Sequence, residues 1–65
     1  MTKEDRDFYK GMAVALGTVA RNGYGGIALD AMTGNGVTIR QLEQAGAEAF
    51  DLEYLKKEAK LTGRI

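Results

Sequence analysis

The sequence predicts an all-α fold: a small compact bundle of about four helices, one long and N-terminal and three short, in a single domain spanning residues 1–65. Three observations carry that expectation. Apolar residues recur at helical rather than strand spacing through most of the chain. Residues that cap helix N-termini, Thr2, Thr38 and Asp51, stand ahead of the apolar stretches. Glycines, nine in all, gather where those stretches end, at Gly23, Gly34, Gly36, Gly46 and Gly63.

The first helix is predicted from about Lys3 to Arg21. Thr2 caps it, Glu4, Asp5 and Asp7 place acids in its opening turns, and Asn22-Gly23 stops it. On a 3.6-residue wheel Phe8, Tyr9, Met12, Leu16, Val19 and Ala20 fall on one side, and Lys10, Gly17, Thr18 and Arg21 on the other. Small residues, Gly11, Ala13, Ala15 and Gly17, border the apolar stripe. Glycine inside a helix costs about 1 kcal/mol relative to alanine, so its presence points to a neighbour that approaches closely.

A second helix over Ile27 to Met32 follows, with Ile27, Ala28, Ala31 and Met32 on one face and Gly34-Asn35-Gly36 as its stop. Asn35-Gly36 ahead of Val37-Thr38-Ile39 is also a hairpin signal. Ala28, Ala31 and Met32 are poor strand formers, however, and no third strand is on offer. Thr38 with Gln41 forms a capping box, and Val37 with Leu42 a hydrophobic staple, which together open a third helix from Ile39 to Ala45. Asp51, with Phe50 and Leu55 as a second staple, is the predicted cap of a fourth helix over Leu52 to Leu61. Leu52, Leu55 and Ala59 face its core side, and Tyr54 and Leu61 lie on a different face.

Size and charge exclude several classes of function. A chain of 65 residues buries about 60% of its unfolded surface, so its core is small. Cysteine and histidine are absent, which removes disulfides, thiolate or imidazole metal sites and the commonest nucleophiles and bases. Nine basic residues balance nine acidic ones, whereas a dedicated nucleic-acid binder shows a basic excess. No apolar run reaches the roughly 18 residues of a membrane span, and the polar opening Thr2 to Asp7 is unlike a signal peptide. A cytoplasmic protein without membrane contact is expected. Neither glycine cluster has dinucleotide-binding or P-loop spacing, and Asp30, Thr33 and Asn35 miss the calcium-loop pattern. No enzyme activity and no cofactor are expected.

Two binding readings remain. From Ile39 onward the spacing resembles a helix-turn-helix with Gly46 in the turn. Leu42, though, stands where a small residue is needed, and Glu48, Asp51 and Glu53 at the head of the reading helix would repel phosphate. Protein contact fits better. Helix four has two apolar faces and a small domain turns only one inward, which leaves Tyr54 and Leu61 for another chain, with Lys57 and Arg64 on the rim and Val14 as an outward residue of helix one. The basic group Lys56, Lys57, Lys60 and Arg64 near the C-terminus matches the sign of a helix dipole.

Phe8-Tyr9-Lys10-Gly11-Met12-Ala13-Val14-Ala15, Arg21, Gly36-Val37-Thr38-Ile39, Leu42, Ala45-Gly46 and Asp51-Leu52-Glu53-Tyr54-Leu55-Lys56-Lys57 together resemble small uncharacterised proteins of bacteriophages and prophages. The resemblance implies an accessory protein in a bacterial host cytoplasm that docks on a host protein, for example to inhibit a component of antiviral defence. A transcriptional regulator is one alternative. Another is an oligomeric sponge for a nucleotide signal, with Arg21, Arg40 and the Lys56, Lys57 and Lys60 group supplying positive charge across subunits. The expectation is a non-enzymatic, self-associating protein that works by protein–protein contact.

Overall fold

Capping chemistry places the helices along the chain. In a computed structural model, which describes residues 1–64, α1 spans Lys3–Val19, α2 Gly25–Gly34, α3 Ile39–Gln44 and α4 Ala49–Thr62, with no strand among the described residues. A π-type turn, Ala20–Tyr24, joins α1 to α2, and Gly23 within it sits at φ 93°. Thr2 Oγ1 accepts the Asp5 N–H at 3.1 Å to open α1. The capping box of α3 is complete: Thr38 N–H donates to Gln41 Oε1 at 2.8 Å and Gln41 N–H to Thr38 Oγ1 at 3.1 Å.

Helix ends are closed by one device used three times. After α2, Val37 N–H reaches back to the Met32 carbonyl (2.9 Å) and Gly36 N–H to Thr33 (3.1 Å). This paired pattern needs a left-handed residue between the two bonds, and Gly36 supplies it at φ 67°. Gly46 and Gly63 do the same after α3 and α4. The Asn35-Gly36 signal therefore ends a helix, and Val37 turns inward as the apolar partner of Met32 instead of starting a strand.

Helix α4 begins three residues before the predicted Leu52, and Asp51 is not its cap. Glu48 occupies that position with extended backbone and no side-chain capping bond. The staple has shifted with it: Ala47 and Leu52, not Phe50 and Leu55, flank the start, and both pack on the core. The Gly46 turn delivers the chain directly into the helix, so burying Ala47 wins over the better capping side chain of Asp51. Asp51 instead lies in the first turn, and Phe50 is left 61% exposed.

Small residues line the α1 side of the core. Ala13 and Gly17 are the buried positions of α1 and Ala20, which opens the π-type turn, continues their stripe, while Phe8, expected inward, is 59% exposed. On α2 the buried face is Gly25, Ala28, Leu29 and Met32, at i, i+3, i+4 and i+7. Ile27 and Ala31 of the predicted face are exposed. The reason is α4, which packs across both helices with Leu52, Leu55 and Ala59 inward, as expected. A β-carbon on Gly17 would lie 2.3 Å from the Asp51 carbonyl oxygen, and one on Gly25 within 2.9 Å of the Glu58 side chain. These two contacts, a pair of helical turns apart on α4, show that α4 rests on glycine. Leu42 and Leu55 are the largest fully buried side chains. The radius of gyration, 10.6 Å, is close to the roughly 11 Å of a compact domain this long.

Candidate functional site

The opposite flank of α4 does not close. Between it, the second half of α2 and the start of α3 lies a trough of about 780 Å3. Its floor is the edge of the core, where Leu29, Met32, Val37 and Ala59 are buried and Ile39 of α3 is half-buried. Its rim is basic. Arg40 stands on the α3 side, Lys56, Lys57 and Lys60 run along α4, and Arg64 follows the helix end. Glu43 and Glu53 are the two acids of the lining. A chain of zero net charge thus concentrates five bases against two acids in one concavity, and the remaining surface carries the balancing negative excess.

The local sequence explains how these groups converge. Positions 53, 56, 57 and 60 of α4 recur at helical spacing, so they share one face, and Arg64 joins the lining beyond the left-handed Gly63. Ala59 keeps that face low where it meets α2, so the lysine stems border a depression. The Gly36 turn folds Val37 onto Met32 and brings α3 alongside α4.

Two ion pairs tie the rim together. Lys56 Nζ lies 3.1 Å from Glu43 Oε2, linking α4 to α3, and Arg64 Nη1 lies 2.9 Å from Asp30 Oδ1, linking the α4 end to α2. Both pairs are solvated, and pairs of this kind contribute about 0–1 kcal/mol. Lys57 stands over the Tyr54 ring, 5.4 Å from its centroid.

The structure distributes the predicted contact residues unevenly. Lys57 and Arg64 line the trough, and Tyr54 touches it through Lys57. Leu61 is 78% exposed and Val14 51% exposed, and both stand outside the lining. Of the cations considered for a nucleotide signal, Arg40, Lys56, Lys57 and Lys60 come together within one chain, without a second subunit. Arg21 does not join them. Its guanidinium lies 4.3 Å over the Phe50 ring, 3.9 Å from Asp51 Oδ1 and 3.0 Å from Thr18 Oγ1, and so clasps α1 to the head of α4.

The floor residues Leu29, Met32, Val37 and Ile39 were missed as site residues. The alternation of apolar and basic residues could have signalled the rim, but only packing puts that floor beneath it. A second, shallower depression of about 530 Å3 lies along the outer faces of α1 and α2, lined by Phe8, Met12, Leu16 and Ala31 among others. It has no basic rim.

No group of three or more acidic residues close enough to hold a metal occurs among the described residues, and no described helix is long and apolar enough to cross a membrane. No family model, no curated protein and no solved structure matches the chain.

Proposed function

We propose that this protein is a non-enzymatic docking module that acts by protein–protein contact, with the trough beside α4 as its principal surface. The observation that supports this reading is the pairing of an apolar floor with a basic rim on one concave face. Apolar area supplies affinity, and charges around it select the partner and speed encounter. The exposed aromatic residues lie outside the trough and are further surface for protein contact. Phe8, Tyr24, Phe50 and Tyr54 are exposed, and half-buried Tyr9 packs against the edge of the core. Aromatic side chains are among the residues enriched at contact surfaces.

In the phage setting that the sequence resembles, the partner is a host protein and the outcome is its inhibition. Self-association through Tyr54 and Leu61 belongs to the same proposal. The nucleotide sponge is the second reading, favoured by the convergence of Arg40, Lys56, Lys57 and Lys60. It is the weaker one, because no aromatic ring lines the trough to stack a base. A helix-turn-helix regulator fits less well still. Glu48 stands at the head of α4, and α3 is only six residues long.

The test is affinity capture from bacterial lysate with wild type, a Tyr54→Ala/Leu61→Ala variant and a Lys57→Glu/Lys60→Glu variant. Recovery of a stoichiometric protein that the trough variant fails to retain supports docking through the trough. Recovery of nucleic acid alone overturns the docking assignment.

A further inference from the structure

We propose that the trough seats an acidic amphipathic helix of a partner protein, laid alongside α4; this rests on the docking reading above and names its partner's chemistry. The rim has the spacing of a helix row. Lys56, Lys57 and Lys60 lie on one face of α4, and Arg64 extends the line just past its end. At 1.5 Å per residue, Lys56 to Lys60 spans about 6 Å, the separation of two carboxylates at i and i+4 on a neighbouring helix. Beside that row half-buried Ile39 and the lysine stems, above a floor of core residues, offer apolar contact to aliphatic side chains from the adjacent stripe of the same partner helix.

The rim's own contacts show that it takes carboxylates. Glu43 and Asp30 already hold Lys56 and Arg64 at 3.1 Å and 2.9 Å, in exposed pairs that a partner's acids can exchange with at little cost. Arg40, Lys57 and Lys60 form no ion pair among the described residues. They are the cations for incoming acids.

Charge and shape separate this occupant from its rivals. The exposed first turns of a second copy offer no acidic stripe. From Lys3 to Lys10 they carry three acids and three bases. A nucleotide finds no ring in the lining to stack on. An anionic bilayer is met by a protruding apolar face with basic flanks, whereas here the apolar residues form a recess.

The experiment is selection of a displayed library of random peptides of about 16 residues, some four helical turns, against the immobilised protein. Enriched peptides are then synthesised, measured by fluorescence anisotropy and mapped by amide chemical shifts. Enriched sequences are expected to be net negative, with Asp or Glu at four-residue spacing and Leu, Ile or Met on the adjoining stripe. Their affinity should fall with added salt and drop by about tenfold or more in Lys57→Glu/Lys60→Glu, with an intermediate loss in Lys57→Gln/Lys60→Gln. Lys3→Glu/Lys10→Glu, an equal charge change away from the trough, should leave affinity within about twofold. Neutral or basic winners that map to the trough overturn the acidic-helix assignment and leave the docking reading standing, whereas shifts mapping outside the trough overturn both the assignment and the trough as the docking surface. No enrichment over an unrelated protein overturns both. Phosphatidylglycerol vesicles or a cyclic dinucleotide that displace the peptides from the trough at lower concentration overturn the helix in favour of that ligand.

Discussion

Helix α4 has two flanks that were built by opposite rules. On one, Gly17 and Gly25 let its backbone and the stem of Glu58 settle onto α1 and α2, with a glycine α-carbon where any other residue would carry a β-carbon. On the other, the neighbours are Leu29, Met32, Val37 and Ile39, and the helix contributes long basic side chains. Glycine permits contact at backbone distance, and that seam closes. On the other flank Leu29, Met32 and Val37 are core residues too, and the concavity above them is flanked by lysines that keep their ends in water while lending their stems to the border. In a molecule this small one flank of a helix stabilises the fold and the other borders an open concavity.

The largest effect is expected where both flanks depend on one side chain. Leu55 is fully buried beneath them. Leu55→Ala should cost about 2–5 kcal/mol, against a total stability of about 3–10 kcal/mol for a domain of this length. Urea denaturation followed by circular dichroism will show loss of most cooperative helix if this is right.

The glycine seam makes a sharper prediction, because it reverses a general rule. Gly17→Ala raises helix propensity yet drives a β-carbon into the Asp51 carbonyl, and should destabilise by about 1–3 kcal/mol. Gly11 sits in the same helix with nothing within 4 Å of the corresponding position. Gly11→Ala should therefore stabilise by about 0.5–1 kcal/mol. If the two denaturation midpoints move in the same direction, the seam is not as tight as described.

Between those two in size is the α3 cap, which holds one wall of the trough. Thr38→Ala removes the acceptor for Gln41 N–H and should cost about 1 kcal/mol, read from the same denaturation curves. The smallest effect on stability belongs to the open flank. Lys57→Glu/Lys60→Glu should shift stability by no more than about 0.5 kcal/mol while abolishing partner capture. A large loss of stability in that variant would mean the rim serves the fold and the two flanks do not differ as argued.

Much of the fold was legible because its punctuation is local. Thr2, the Thr38–Gln41 box and the glycines at 36, 46 and 63 act on backbone within a few residues, and each does so where the sequence places it. The head of α4 was misread because two local signals competed. Asp51 is the better cap, yet Ala47 and Leu52 gain more by burial, and burial depends on α1 and α2 being present. The same dependence misplaced Phe8, Ile27 and Gly17, since a helical wheel shows which residues share a face but not which face meets a neighbour.

The candidate site divides along the same line. Sequence by itself determined an all-helical chain, the starts of α1 and α3, the glycine stops of α2, α3 and α4, the small residues that allow close crossing, and a basic group near the C-terminus that included Lys57 and Arg64. These follow from backbone hydrogen bonding and steric freedom within one or two turns. Only the tertiary structure decided that Gly17 and Gly25 carry α4, that Arg21 clasps Phe50 and Asp51, and that the basic group borders an apolar floor contributed by α2 and α3. Those outcomes join residues as many as 34 positions apart, such as Asp30 and Arg64. Helix packing fixes such pairings through the summed shape of all the facing side chains, which no short stretch of sequence contains.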